Sequence, residues 1–463
     1  MTEAPALPRA RSGFDRRLVA PMLLGSVLNP INSSIIAVAL VPIGVAFGAA
    51  PSATAWLVSG LYVATAVGQP VVGRLVDIYG PRPLYLIGTG LTGIAGILGV
   101  TAPHLGVLVA ARVILGVGTC AGYPAAMSLI RSEARRTGQD SPAGVLTMLA
   151  VANQTVAVIG PSLGGFLIGV GGWRATFAVN IPLSAACLIL GWLLLPRTEK
   201  SQRPDARIDL WGIALFTLML VSLLLFVMNP HLSTLYLAGL ALAAGAGFTV
   251  RELRCAQPFI DLRLFGGNLP LLATYGRNLL AMIVAYGFLY GYTQWLEDGR
   301  GLSASTTGLL LLPLFGTGIV VSVVSGRRAG VRGKLLIGGL GQVVAITLLL
   351  FTGSSTALWA LVIVALTAGI PQGLNSLAMQ NAVYFQADAA RLASSAGLLR
   401  TFTYLGAIAA SAANAAFLRH GADTPGMHQL AWFMLAAAVV FLAVTVFDRS
   451  LSGVGRPRTE TPA

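Results

Sequence analysis

The polar residues inside the apolar stretches of this 463-residue chain are mostly of a kind that binds rather than reacts. Asn29, Asn32 and Ser33 are spaced i, i+3 and i+4, so one helix face presents all three as hydrogen-bonding groups. Asn153 and Gln154 form a second amide pair and Gln372 and Asn375 a third, while Tyr286, Tyr290 and Gln294 recur one helical turn apart. Such groups could surround a small molecule, or equally could bond one helix to the next. Tyrosines also populate membrane interfaces. Arg112 differs in carrying a charge. An arginine within an apolar span is costly unless it faces protein or water, so it either serves function or is bonded to backbone carbonyls.

Acid–base chemistry has few candidates. No Asp or Glu falls in the middle of an apolar stretch, and the nearest are Glu297 and Asp298 at the end of one. A carboxylate at a partly dry cavity mouth could carry a proton; paired with Arg300 it would be an ordinary loop acid. His104, His231, His420 and His428 have the wrong spacing for a metal site. Cys120, Cys187 and Cys255 lie in or near apolar segments and read as packing residues, without a disulfide or metal. The run from Gly88 through Gly90 to Gly93 fits a dinucleotide-loop pattern, but it lies mid-span with no preceding strand. Its glycines read as helix-packing positions. No cofactor is implied.

The elements that must position these groups are membrane spans. Only 10% of residues are charged, against about 25% in soluble domains, with 56% hydrophobic and a mean hydropathy of +0.79. The reading gives fourteen apolar stretches between residues 18 and 447. Residues 1–17 and 448–463 form tails, 18–195 and 269–447 hold six spans each, and 196–268 is a linker with two extra spans at about 209–228 and 233–250. With the N-terminus in the cytoplasm, 24 of the 30 Lys and Arg fall on the cytoplasmic side, with Arg174, Arg300 and Arg419 outside and Arg112, Arg277 and Arg400 within spans. Both termini are then cytoplasmic. The net charge of +14 belongs to lipid headgroups, not to nucleic acid. The first apolar run is nearly thirty residues long, too long for the core of a signal peptide.

One charged turn interrupts the spans in a patterned way: Gly73-Arg-Leu-Val-Asp77-Ile-Tyr-Gly80-Pro-Arg82. Gly73 and Gly80 permit close helix approach and a tight turn. Asp77 can hold a helix N-terminus or a basic partner such as Arg131, and Arg82 suits an anionic membrane surface. The stretch resembles the loop between helices 2 and 3 of the major facilitator superfamily. A fainter echo runs from Gly326 through Gly330 and Arg332 to Lys334 in the second half, without an equivalent of Asp77. Arg112 with Gly116 and Gly118 is similar to that superfamily's R-x-x-x-G-x-G helix. Gly160-Pro161-Ser-Leu-Gly164-Gly165 matches its antiporter motif, where proline and glycines suit a hinge or a tight seam. Trp173-Arg174 through Phe177, Asn180 and Pro182 looks like a signature of fourteen-span exporters. Asp209 to Gly212, Gly301 to Pro313 and Ala396 to Gly406 extend the resemblance over nearly the whole chain.

The sequence departs from that pattern at Val156, Ile78 and Pro81, and chiefly at Asn32. Members of the fourteen-span drug:proton antiporter group carry an Asp there. Asn32 cannot titrate, so the usual carrier is missing.

The resemblance implies an all-α major facilitator fold, two pseudo-symmetric six-helix bundles plus two extra helices, in the plasma membrane. It implies a monomer that works by alternating access with a cavity between the bundles. Its substrate would be an amphipathic small molecule, drug or antibiotic, exported against protons. Arg112 would assist coupling; Glu297, by its position at the end of a span, is the candidate to carry the proton in place of the missing acid. An exporter of one specific metabolite, with different or no proton coupling, is the alternative. An embedded enzyme or receptor would need a catalytic constellation that the chain does not show.

Overall fold

The structure, a computed structural model, describes residues 14–49, 51–54, 56–137, 143–197, 208–228, 231–255, 258–260, 262, 268–302, 304–326, 330–418 and 422–454. The tail residues 1–13 and 455–463, linker residues 198–207, Arg419 and His420 lie outside the described residues. The described regular structure is helical, with no strand. The first half holds α1 (Val19–Phe47), α2 (Trp56–Tyr79), α3 (Pro81–Val100), α4 (Leu105–Thr119), α5 (Gly122–Thr137), α6 (Ala143–Ala178) and α7 (Asn180–Leu194). A hairpin follows, α8 (Leu210–Met228) and α9 (Leu235–Arg254). The second half holds α10 (Leu269–Gln294), α11 (Ala304–Gly326), α12 (Arg332–Leu350), α13 (Leu358–Gln386), α14 (Leu392–Phe417) and α15 (Thr424–Phe447).

Eleven described helical stretches are long and apolar enough to cross a membrane, with α4 and α5 forming one of them. A twelfth is added if the end of α6 and α7, bent by 46°, are one span. Every one of the fourteen apolar stretches carries a helix. The shortfall falls on α6, α7 and α14, so a fourteen-span count is a proposal. α7 has only 15 residues, and α14 carries Arg400 among many alanines and serines.

The two halves repeat one packing scheme. In the first, α1 packs on α6, α2 and α3 on α4, and α3 on α7. In the second, α10 packs on α14, α11 and α12 on α13, and α12 on α15. Across the halves α2 meets α14 and α11 meets α6, again as equivalents. This is the internal symmetry expected of a transporter built from repeats. The α8–α9 hairpin lies over the α2–α14 seam: Leu224 packs with Ala66, Tyr404 and Ile408, and Phe216 and Leu220 pack with Val67 and Val71. Within the hairpin, Arg251 near the end of α9 pairs with Asp209 at the start of α8 at 2.6 Å.

Local sequence explains the bends. α6 is helical through position 161 and breaks only at Gly171 and Gly172, the latter at φ 65°, a conformation that favours glycine. The Gly160-Pro161 element is unbent in this conformation, and the side chain of Pro161 lies outside the described residues. Gly160 and Gly164 instead form a seam with α1. A Cβ on Gly160 would lie 1.8 Å from Ser34 Oγ, and one on Gly164 would lie 2.8 Å from the Ile35 carbonyl oxygen. Gly165 meets nothing within 4 Å.

Candidate functional site

At the end of the molecule that bears the 73–82 turn, hereafter the basic end, the halves are locked together. Gly80, at φ 89°, makes the sharp turn that separates α2 from α3 and leaves Asp77 on the last turn of α2. There Asp77 accepts hydrogen bonds from the Ala393 amide at 3.0 Å and the Ser394 amide at 2.9 Å, and from the Ser394 hydroxyl. Those amides belong to the first turn of α14, where unpaired N–H groups and the helix dipole favour a carboxylate. The partner is a helix N-terminus, and Arg131 instead stacks on Tyr384 at 5.3 Å. Gly73 allows this approach, since a Cβ there would sit 2.5 Å from the Ala393 carbonyl oxygen. Gly397 on the opposing helix would likewise strike Gln69 at 2.3 Å. Thr401 adds a hydroxyl bond to the Ala66 carbonyl at 2.7 Å. Arg82 donates to the Trp192 carbonyl at 2.8 Å and lies over its ring, so it ties the turn to α7.

The symmetric seam between α6 and α11 has the close glycine but a different contact. A Cβ on Gly326 would lie 2.3 Å from the Thr147 hydroxyl. Residues 327–329 of the echo motif lie outside the described residues. The carboxylate lock therefore belongs to the α2–α14 seam.

Above this closure lies a cavity of about 1130 Å³ between the halves. Its lining uses α1 from Asn29 to Leu40, α2 from Val58 to Tyr62, α10 from Ala281 to Tyr290, and α14 from Arg400 to Ala412. Each segment runs from mid-helix toward the end opposite the basic one. The cavity is thus shut below and extends away from the lock.

Of the residues singled out in the sequence, Asn29, Ser33, Asn153, Tyr286, Tyr290, Gln372 and Asn375 line this space. Asn32 does not. It is buried, and its amide donates to Asn180 Oδ1 at 2.7 Å and the Leu28 carbonyl at 2.8 Å, so it joins α1 to α7. Its position on the shared face with Asn29 is turned into the helix contact. Gln294 is exposed at the end of α10 and is not part of the lining. Gln154 lies on α6 with its side chain outside the described residues. Glu297, in a wide turn over Trp295–Gly299, is half-buried, away from the lining and in no ion pair among the described residues. Arg300 turns to the face of Trp295 instead.

Arg112 is buried and donates to the Leu57 carbonyl at 2.8 Å and the Asn32 carbonyl at 3.1 Å, while one of its terminal nitrogens has no partner. No acid bonds to it among the described residues. It bridges α1 and α2 behind the cavity wall.

The cavity floor is a polar network. Asn29 donates to Thr119 at 2.8 Å and Thr65 at 3.2 Å, and accepts from the Tyr404 hydroxyl at 2.5 Å across the halves. Elsewhere in the wall, both polar atoms of Asn375 and the amide oxygens of Asn153 and Gln342 are buried without partners among the described residues. Buried polar groups are nearly always paired, so these atoms are the unsatisfied polar positions of the cavity wall. Tyr62, Gln342, Arg400 and Tyr404 line the site and were not chosen from sequence. The one-turn spacing of Arg400 and Tyr404 was the available signal.

A helical repeat built around a cavity shut at one end defines a multi-pass membrane transporter. The sequence pattern of the Major Facilitator Superfamily matches residues 22–411, and the chain belongs to that superfamily. It is 34% identical to YwoD of Bacillus subtilis, an uncharacterised transporter of the superfamily, over 84% of this chain and 86% of the relative. It is 30% identical to the multidrug resistance protein Stp of Mycobacterium tuberculosis, over 74% of this chain and 64% of the relative. The human organic anion transporter MFSD10 (TETRAN) shares the fold, with a TM-score of 0.66 over 94% of this chain and 100% of that one at 16% identity.

Proposed function

We propose that this secondary transporter exports amphipathic small molecules, drug- or antibiotic-like, across the plasma membrane by alternating access in exchange for protons. The observation that carries the reading is the cavity of about 1130 Å³, walled mostly by apolar side chains with a few amides, hydroxyls and one arginine among them, and shut at the basic end by the Asp77 lock. Such a wall suits molecules with both characters. The excess of arginine puts the basic end in the cytoplasm, so the closed state faces outward and the monomer would release substrate there. Similarity to the multidrug resistance protein Stp supports the substrate class.

Glu297 is the proposed proton carrier. Asp209, Glu133 and Asp448 are held in ion pairs and Asp77 is spent on a helix N-terminus. Glu297 has no such partner among the described residues. A susceptibility panel in a bacterial host stripped of its own efflux pumps tests the export reading. Expression should raise tolerance to several amphipathic compounds, and a proton uncoupler should abolish the gain. Unchanged tolerance across the panel would remove multidrug export.

A further inference from the structure

We propose that the cavity selects amphipathic anions and that Arg400 is the residue that selects them. The inference rests on the cavity's being the substrate site and names the class of molecule it takes. Arg400 lies at the cavity floor, half-buried, and is the one charged residue among those lining the described cavity. Its guanidinium sits 4.2 Å from the ring centroid of Tyr123, a contact from α5 across the halves that fixes it without neutralising it. It forms no ion pair among the described residues, and α14 contains no Asp or Glu from Leu392 to Phe417. The acid nearest along that helix's start, Asp77, is committed to the Ala393 and Ser394 amides.

An uncompensated cation facing a partly dry space attracts an anion and repels a cation far more strongly than it would in water. Arg112, behind the same wall and also without a carboxylate partner, adds to the positive field. The guanidinium also has donors that suit a carboxylate, sulfonate or phenolate. The rest of the site recognises the body of the molecule. Tyr62 and Tyr404 lie 5.7 Å apart and Tyr286 and Tyr290 lie 5.6 Å apart, and a hydrogen bond between Tyr62 and Tyr290 joins the pairs into one cluster. These rings suit an aromatic group, while the polar side chains of the lining, among them Ser33 and Gln372, suit neutral polar substituents.

The test uses the full chain in lipid nanodiscs, with empty discs as the blank, and three matched probes titrated by calorimetry. The probes are 2-naphthoate, 2-naphthylmethylammonium and the neutral 2-naphthylmethanol. Naphthoate should bind about tenfold tighter than the ammonium, as expected for a hydrogen bond to a charged group. Arg400→Gln should erase that preference while leaving the alcohol within about twofold, and Arg400→Lys should restore most of it. Equal or tighter binding of the ammonium by the unmodified protein overturns the proposal. So does an anion preference that survives Arg400→Gln, or the failure of naphthoate to bind. The unmodified protein alone decides the first outcome, whatever the folding of the variants. Because binding is read without a gradient, a cation preference sinks anion selection and leaves export standing. Loss of the cellular efflux phenotype with naphthoate binding intact would sink export alone.

Discussion

Asn32 donates its side-chain amide to the Asn180 carbonyl oxygen at 2.7 Å, joining residues 148 positions apart in the chain. Asn180 in turn donates to the Phe177 carbonyl, and a terminal nitrogen of Arg112 reaches the backbone carbonyl of Asn32. The exporter-like signature at 173–182 therefore acts on α1. It holds that helix where related antiporters are expected to carry an acid, with an amide that cannot titrate.

Removing either amide should cost stability and spare binding. Asn32→Ala and Asn180→Ala should each lower unfolding stability by about 1 kcal/mol. The double variant should cost little more than one of them, because the two residues share one bond. Thermal unfolding in detergent gives the stabilities and calorimetry the affinity. A tenfold loss of substrate affinity with unchanged stability would return Asn32 to the cavity.

Asp77 ties the two halves with charge-assisted hydrogen bonds, each worth about 1.5–3 kcal/mol. Asp77→Asn keeps the size of the group but cannot accept the same set of bonds as strongly. The variant should shift the population by roughly tenfold or more toward states open at the basic end. A cysteine at Thr147, on the other seam, should then label faster from that side, while transport falls and substrate affinity changes less than twofold. Labelling and transport both equal to the parent would remove the lock.

Much of the fold was legible because its signals are local. Span length, the arginine bias and the Gly73–Arg82 turn each depend on neighbours in sequence, and so does the helix N-terminus that Asp77 meets. The site was legible only in part. Asn29 and Asn32 share a face within one turn, yet Asn29 looks into the cavity and Asn32 into α7, a choice made by Asn180 far along the chain. Arg400 could be read as a snorkelling residue near a helix end; only the packing of α5 on α14 shows its guanidinium fixed over Tyr123 at the cavity floor. The choice between hinge and tight seam at Gly160–Gly165 was open for the same reason. Gly160 and Gly164 are occupied by α1, and the bend moves to Gly171 and Gly172.

Arg277 is fully buried on α10 and pairs at 2.7 Å with Asp448, just beyond α15. Burial works to raise the Asp448 carboxyl, but hydrogen bonds from Ser450 and Arg277 outweigh it and hold it below the usual carboxylate range. A carboxylate depressed in the folded state stabilises the fold above its ordinary value of about 4. That contribution fades as pH falls through the lower folded value. Asp448→Asn should therefore cost about 1–3 kcal/mol at neutral pH, less than a fully buried pair because Asp448 reaches the surface. The gap between variant and parent should close on acidification. A pH-independent gap in unfolding temperature would mean that Arg277 is stabilised by something else.

Asn32 cannot titrate, Arg112 is held by backbone carbonyls, and no carboxylate lines the described cavity. A proton must then ride on a carboxylate outside the lining or on the substrate. Glu297 is the half-buried acid without an ion pair at the end toward which the cavity extends. Trp295 and Leu296, packed in the core beside it, link its turn to the body of the second half, so a change in its charge can be felt by α10. Glu297→Gln mimics a permanently protonated carrier. In proteoliposomes it should abolish uphill transport driven by a pH gradient while leaving downhill exchange within about twofold, since only the coupled step loses its driving force. Full uphill transport by the variant would sink the assignment. The same assay on Asp77→Asn and Asp298→Asn would then separate a proton carried at the lock, or at the neighbouring acid, from one carried by the substrate itself.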